Sequence, residues 1–423
     1  LLKFNVEGYE KIRLQTMAFI SAQTAIKAIG TVPIRRLEAE VKWLWQAEGY
    51  VLADDVTAPR DIPPFNRSAM DGYAVRIAEL KEIPCTLDVV ALRAAGDNRE
   101  IRMGAGECVK IMTGAAVPED ADAVVMIEHT ESKDPEHQVT ILRSVKPGEN
   151  IAHRGEDARS GSVVLAAGQL LNAAALSVIA GVGRSTAKVY PKPRISILST
   201  GDELLEPGTM LTDGQIHNIY NSNATLLTGL LNRSQLGTAR YLGISKDDRG
   251  ELAAAIEKGL TDDVLILTGG VSKGDYDYAH EVLEGCGVQV HFHGVKIKPG
   301  RPLFFGSTDQ GAFVFGLPGN PVSVLVCYHE FVAPLLRRLA GWRDQIVADE
   351  AAARCTQAIR NKSGRRFYCT ARLYYDNGEL LADPIPGHGS GDYVAAVNAN
   401  GVIIVPEETT RIKAGEEVQV HVW

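Results

Sequence analysis

The sequence predicts a multidomain α/β plus β protein organised around a doubly wound parallel sheet, and three observations carry that prediction. Between Arg194 and Leu339, short apolar runs alternate with helical patterns, as right-handed βαβ units require. One of those runs, Val264 to Leu267, is apolar at every position, which is the pattern of a strand covered on both faces. Before Pro191 and after Gly341 the pattern changes to brief β runs split by Gly and Pro, so the flanking parts are expected to be β-rich.

The bulk composition bounds the possibilities. At 423 residues, 45% hydrophobic and 23% charged, the chain can bury a substantial core and is expected to form about three domains of ordinary size. A net charge of −8 argues against nucleic acid as the main partner but leaves room for small anions, which need only a few well-placed cations. The 6 cysteines are scattered without a C-x-x-C pair, which suggests reduced thiols in a cytoplasmic protein. The most apolar stretch, around Leu170 to Val182, is too short and too polar to span a bilayer, so no membrane association is expected.

In chain order, Ser21 can cap a helix over Ala22 to Ile29, and Arg35 to Ala47 is rich in helix formers. Tyr50 to Ala58 reads as a strand, ended by Pro59, Pro63 and Pro64. Short β runs follow at Leu87 to Leu92, Glu107 to Met112, Ala123 to Glu128 and Gln138 to Leu142. Leu171 to Ala180 is a plausible amphipathic helix, and Pro191 and Pro193 mark the clearest linker. Beyond it come strands at Arg194 to Thr200, Thr238 to Ile244, Val264 to Leu267, Val288 to Ile297 and Ala312 to Phe315. The intervening helices are Asn218 to Asn232, Asp248 to Leu260 and Asp277 to Glu284. A long last helix, Pro321 to Leu339, has Asn320 as its expected cap and Pro321 in its first turn.

The chemistry collects where those strands end. Ligands of an open parallel sheet bind beyond the carboxyl ends of its strands, and here nearly every such end is polar or glycine-rich. The ends are Thr200-Gly-Asp202-Glu203, Ser245-Lys-Asp247-Asp248, Thr268-Gly269-Gly270 with Ser272, Lys273, Asp275 and Asp277, Lys296-Ile-Lys298-Pro-Gly-Arg301, and Gly316-Leu-Pro318-Gly-Asn320-Pro321. The carboxylates Asp202, Glu203, Asp247, Asp275 and Asp277 crowd together, and oxygen-only ligands of that kind suit Mg²⁺. Lys273, Lys296, Lys298 and Arg301 offer positive charge to an oxyanion such as phosphate. A phosphorylated ligand with Mg²⁺ is therefore expected. No Walker P-loop, HExxH or Gly-x-Ser-x-Gly motif occurs, which disfavours an ordinary P-loop NTPase, a zinc protease and a common serine hydrolase. Three further polar stretches stand apart. Asp71-Gly72 could be a hairpin turn, Thr113-Gly114 a turn at a strand end, and Arg154 to Asp157 a solvated loop.

In order along the chain, SAMDGYAV, IMTGAAVP, RGED, STGDEL, TGGVSKGDYD, KIKPGRP and GLPGNP resemble the molybdopterin molybdenumtransferase family, comprising MoeA and the E domain of gephyrin. The resemblance implies an elongated homodimer with a discontinuous helical and β domain over 10–60 and 145–190 and a β-rich insertion over 61–144. It further implies a doubly wound molybdopterin-binding domain over 191–341 and a small C-terminal β domain over 342–423. The implied reaction is Mg²⁺-dependent: molybdate displaces the adenylate of adenylylated molybdopterin, giving molybdenum cofactor and AMP, with a molybdopterin adenylyltransferase as an expected partner. Carried over residue by residue, the functional positions are Asp71, Thr113, Asp157, Glu203, Asp247, Asp277, Lys298, Pro318 and Pro321, the first three reaching the cleft across the dimer. Ser390, within Gly387-His-Gly-Ser390, is the expected molybdate-holding serine.

This chain departs from the family pattern at three places. Asn66 stands where an aspartate is usual, Gly294 where a lysine often precedes Lys298 (Lys296 being the candidate substitute), and Tyr368-Cys-Thr370 where Phe-x-Arg is expected. An arginine returns only at Arg372, so the choice between molybdate and tungstate is open. Two other readings compete: a non-catalytic dimeric scaffold of the gephyrin E type, and a molybdopterin adenylyltransferase.

Overall fold

A computed structural model of the chain describes residues 19–270, 278–342 and 349–423. The chain divides into two compact units, one comprising Asp54–Ala167 and Ala173–Thr186, the other the segments up to Ala53, Gly168–Asn172 and Ala187–Trp423.

The first unit is β-rich, as its Gly- and Pro-punctuated sequence suggests. Its 6-stranded sheet has the order Ala123–Met126, Gly72–Val75, Glu107–Ile111, Cys85–Arg93, Gln138–Ile141, Thr130–Asp134. Asp71-Gly72 is no hairpin turn. Gly72 opens a strand paired on both sides, and a Cβ there would lie 1.9 Å from the Val125 carbonyl oxygen, so only glycine lets the two backbones approach. A helix over Ala173–Gly181 matches the expected one to within a turn.

The second unit holds the doubly wound sheet. Its elements are α1 (Ala22–Thr31), β1 (Arg194–Thr200), α2 (Ser222–Ser234), β2 (Thr238–Ser245), α3 (Arg249–Gly259), β3 (Val264–Thr268), α4 (Tyr278–Gly285), β4 (Val288–His293), β5 (Phe304–Thr308) and β6 (Phe313–Leu317). The strand order is β2-β1-β3-β6-β5-β4. The first four run parallel, whereas β5 is antiparallel to both β6 and β4. The sheet is thus mixed rather than purely parallel, because Phe304–Thr308 forms a strand that the sequence reading passed over. Two reversals restore the direction of β4, so its carboxyl end still faces the common edge. Every residue of β3 is buried. Ile266 packs with Leu227, Phe315 and Phe331 on one face, and Leu265 and Leu267 with Leu252, Ile256 and Leu283 on the other.

Helix starts follow their capping residues. The Ser21 side chain accepts from Thr24 N, Asn221 from Ala224 N, and Asp248 from Gly250 N and Glu251 N. The expected helix over Arg35 to Ala47 does not form. Glu40–Trp43 is instead a strand beside Thr186–Tyr190, followed by a single tight turn at Leu44–Gln46. Val41, Trp43 and Trp45 alternate with polar or smaller neighbours, and strand pairing outweighs the helix propensity of the flanking residues. The long last helix runs from Pro321 to Leu339 but widens into a π-turn at Tyr328–Val332, where Pro334 cannot donate an N–H.

After 349 the chain forms a small closed barrel, since Arg366–Asp376 pairs with both Glu379–Pro384 and Gly401–Val405. The barrel also takes in Ile297–Lys298, paired parallel with Arg366 and Phe367. The expected strand Val288–Ile297 therefore ends at His293, and its last residues belong to a different sheet.

The barrel is fastened to the long helix by a buried pair. His421 Nδ1 lies 2.7 Å from Glu330 Oε2, and the Trp423 ring stacks on His329 at 4.4 Å. Burial opposes the charged imidazole, but the Glu330 carboxylate outweighs it and raises the His421 pKa above 6.5. A raised histidine pKa stabilises the fold below its unfolded value and loses that contribution as pH climbs through the folded value. The melting temperature is accordingly expected to fall as pH rises above 6.5, with a shallower slope in His421→Gln, as followed by thermal unfolding. Equal slopes in the two proteins would remove His421 as the cause.

Candidate active site

In the second unit, the edge where β1, β2, β3 and β6 end is fixed by a chain of polar groups, buried at Thr268, Ser199 and Asn221 and exposed at Tyr241. Thr268 Oγ1 donates to Ser199 Oγ at 3.1 Å, Asn221 Nδ2 donates to Ser199 Oγ at 3.0 Å and to Tyr241 Oη at 2.8 Å, and Tyr241 donates to Glu206 at 2.7 Å. These bonds tie the ends of β1 and β3, and the middle of β2, to the start of α2 and hold the edge rigid. Over it folds the Gly269–Gly270 turn, with φ of +86° and +61°. A Cβ on Gly269 would meet the Thr200 carbonyl oxygen at 2.3 Å, and one on Gly270 the Thr200 hydroxyl at 2.5 Å. That hydroxyl is buried without a hydrogen-bond partner among the described residues.

Beyond this turn lies a cleft of about 640 Å³ lined by Gly269, Gly270, Lys298, Arg301, Pro318, Asn320 and Ser390, together with Arg365, Phe367, Thr370 and others. Seven residues anticipated from the sequence thus come together from four separated stretches of chain. Lys298 rests its ammonium 4.5 Å from the Phe367 ring centroid, and Arg301 stacks its guanidinium 4.0 Å from that of Phe19. Asn320 is the N-cap residue of the long helix, as expected, but its side chain makes no capping bond. Its Nδ2 donates to Ser390 Oγ at 2.8 Å, and Val322 N donates to the Ser390 carbonyl at 3.1 Å. Pro321 brings no N–H and Val322 has spent its own, so the helix start offers fewer donors to a ligand than its sequence suggested. Asn223 Nδ2 donates to the Gly319 carbonyl at 2.7 Å and steadies the same loop.

No acidic side chain lines the cleft among the described residues, whereas Lys298, Arg301 and Arg365 all do. Arg365 was not singled out in the sequence; the Gly364-Arg-Arg doublet was its only signal. Burial, and after it the charge of Arg301, lowers the Arg365 pKa, so the cations strain against each other. An excess of positive charge in a semi-enclosed cleft is an oxyanion site by its chemistry. Lys296 is exposed and does not line the cleft, and Pro321 begins the helix just outside it. A lysine at Gly294 would strike the Phe19 ring, 2.2 Å from the Cβ position, which accounts for its absence.

The carboxylates form a second group on the same edge of the sheet. Asp247 N donates to Asp202 Oδ1 at 3.3 Å, and the Glu203 carboxylate folds back over Gly201. Partial burial, then the charges of Asp202 and Glu203, raise the Asp247 pKa above 3.8. Among the described residues no three Asp, Glu, His or Cys side chains converge as they would around a metal ion. Ser272, Lys273, Asp275 and Asp277 lie outside the described residues.

In the first unit, Asp71 and Thr113 are partners. Asp71 Oδ1 accepts from Thr113 N at 2.6 Å and from Thr113 Oγ1 at 2.8 Å, and these two bonds, in that order, lower the Asp71 pKa. The motif carrying Asp71 is also laced to the one carrying Asp157. Arg67–Ser68 pairs with Ile151–Ala152, and Asn66 Oδ1 accepts from Arg154 N at 2.9 Å. Asn66, the uncharged departure, therefore works as a backbone clasp. Asp157 is exposed, and its N–H donates to the Ile62 carbonyl at 2.9 Å.

Known proteins resemble this chain over most of its length. The MoeA N-terminal region (domain I and II) matches residues 18–183, a probable molybdopterin binding domain matches 196–338, and the MoeA C-terminal region (domain IV) matches 352–423. The molybdopterin molybdenumtransferase of Haemophilus influenzae is 35% identical over 381 residues, covering 89% of this chain and 92% of its own. That of Bacillus subtilis is 32% identical over 397 residues, covering 90% of each chain. The chain belongs to the molybdopterin molybdenumtransferase family. A crystal structure of the molybdopterin biosynthesis MoeA protein from Pyrococcus horikoshii superposes with a TM-score of 0.81 at 30% identity, covering 96% of this chain and 100% of that one. Family membership thus agrees with the multidomain α/β plus β fold.

Two outcomes test the geometry. In Thr113→Val, which keeps the backbone bond, the Asp71 carboxyl pKa is expected to rise part-way toward 3.8 in a carboxyl-resolved NMR titration, with no loss of fold. An unchanged titration would mean that the hydroxyl contributes nothing. Gly72→Ala is expected to cost about 1–3 kcal/mol in denaturant unfolding, since backbone rather than side chain must yield.

Proposed function

We propose that this chain transfers molybdenum from molybdate to adenylylated molybdopterin, releasing AMP and forming molybdenum cofactor. The observation that carries the reading is the cleft in which Lys298, Arg301 and Arg365 meet Ser390 and the Gly269–Gly270 turn, with no acidic side chain among its described lining residues. Such a cleft suits a ligand with several anionic groups, and both substrates are of that kind. In this reading Lys298 and Arg301 hold phosphate or molybdate oxygens and stabilise charge as it develops on them. The Asn320–Ser390 pair fixes the direction from which the hydroxyl of Ser390 donates to the same oxygens.

Asp202, Glu203 and Asp247 are the residues we propose for Mg²⁺, with Asp277. Support comes from the donor chemistry: oxygen ligands of like charge, one of them with a raised pKa, favour a cation beside them. When bound, Mg²⁺ would draw charge from a phosphate oxygen. Adding Mg²⁺ is expected to lower the Asp247 pKa and release protons at mildly acidic pH, measured by NMR titration of the carboxyl. A titration indifferent to Mg²⁺ would defeat this assignment.

We further propose a cytoplasmic homodimer in which Asp71, Thr113 and Asp157 of one protomer serve the cleft of the other, with adenylylated molybdopterin delivered by a separate adenylyltransferase. The 4 domains of the family pattern are the proposed division of the chain, within the boundaries 10–60 with 145–190, 61–144, 191–341 and 342–423.

The test is AMP release by purified protein supplied with adenylylated molybdopterin, molybdate and Mg²⁺. Turnover is expected in the parent, and Lys298→Ala should lose about 10²-fold in rate with unchanged circular dichroism. No AMP from the parent would overturn the reading. ATP-dependent adenylylation of molybdopterin in its place would make the chain an adenylyltransferase.

A further inference from the structure

We infer that Arg365 is the cation by which the terminal barrel holds the reacting oxyanion in the cleft. The inference rests on the transferase reading above and names a residue that takes the place of the missing Phe-x-Arg arginine.

The strand Arg366–Asp376 settles the register. Thr370, where that arginine would stand, lines the cleft, so the position itself is in place but bears no charge. Arg372, two residues on along the same strand face, is exposed, places its guanidinium 5.6 Å from the Tyr374 ring centroid and does not line the cleft. Arg365 reaches the cleft from the loop preceding the strand. Its Nη1 donates to the Ile297 carbonyl at 3.2 Å, one residue before Lys298, and Ile297–Lys298 pairs with Arg366 and Phe367. The guanidinium is thus tied at one corner beside the Lys298 strand, and a guanidinium has five N–H donors to spend. Its other neighbour in charge is Arg301, and no carboxylate lines the cleft among the described residues. Cations gathered without a counter-charge are costly until an anion arrives, and a doubly charged tetrahedral oxyanion such as molybdate or tungstate would relieve several at once. A planar fork also suits two oxygens of one oxyanion better than an ammonium does.

The experiment measures molybdate and tungstate binding by calorimetry, and the molybdate KM and kcat of AMP release, in the parent, Arg365→Gln, Arg365→Lys and Arg372→Gln. Arg365→Gln is expected to weaken oxyanion binding and raise the molybdate KM by at least about tenfold, the loss of one charge-assisted contact. Arg365→Lys should recover part of that loss, and Arg372→Gln should match the parent. A folded Arg365→Gln with the parent's affinity and KM would overturn the inference while leaving the transferase reading intact. So would a raised KM in Arg372→Gln. If Arg365→Gln fails to fold for want of its Ile297 bond, Arg365→Lys decides alone: a raised KM supports the role and an unchanged one removes it. A parent that releases no AMP would instead sink the reading on which the inference rests.

Discussion

The strand β3 has no solvated face, and the placement of chemistry in the second unit follows from that constraint. All five of its residues are buried, with helices covering both sides of the sheet. A polar group along its length would pay for desolvation without a partner, so polar residues can appear only where the strand stops. The same holds for β6, and β1 departs from it only at Ser196, whose buried hydroxyl donates to Asp262. The ends of β1, β3 and β6 meet on one edge, where the buried Thr268, Ser199 and Asn221 bond to one another and Asn221 reaches on to Tyr241. The rigid edge then carries a turn so closely packed on Thr200 that its two residues must be glycines.

The cleft needs a second wall, and it comes from sharing one short strand. Ile297–Lys298 leaves the neighbourhood of β4 and joins the terminal barrel, so Lys298 lies against Phe367 while Arg301 remains with Phe19. The sharing separates the charges by sign. Cations gather where barrel and sheet meet, whereas Asp202, Glu203 and Asp247 stay at the ends of β1 and β2. Burial first, and like charge after it, lowers the pKa of Arg365 and raises that of Asp247. Ligands of the opposite sign relieve both.

The barrel must keep its place for this wall to exist. The His421–Glu330 pair and the Trp423–His329 stack supply that attachment at the helix's π-turn, where the widened backbone presents Glu330 and His329 to the last strand. Breaking one partner of a buried pair leaves the other uncompensated, so the attachment is specific as well as tight.

Sequence alone determined what is local or periodic. The continuous apolar run of β3, the capping residue Ser21 and the polar ends of the strands were legible, because burial and capping leave their mark on adjacent residues. Asp71 and Thr113 were legible only through family resemblance, since each by itself looks like a turn. Tertiary structure decided the rest. It made a strand of Glu40–Trp43, inserted β5, took Ile297–Lys298 into another sheet, turned Asn320 toward Ser390 and brought Arg365 beside Lys298. Each of these depends on a partner far away in the chain, and pairing energy between distant segments has no signature in the residues on one side of it.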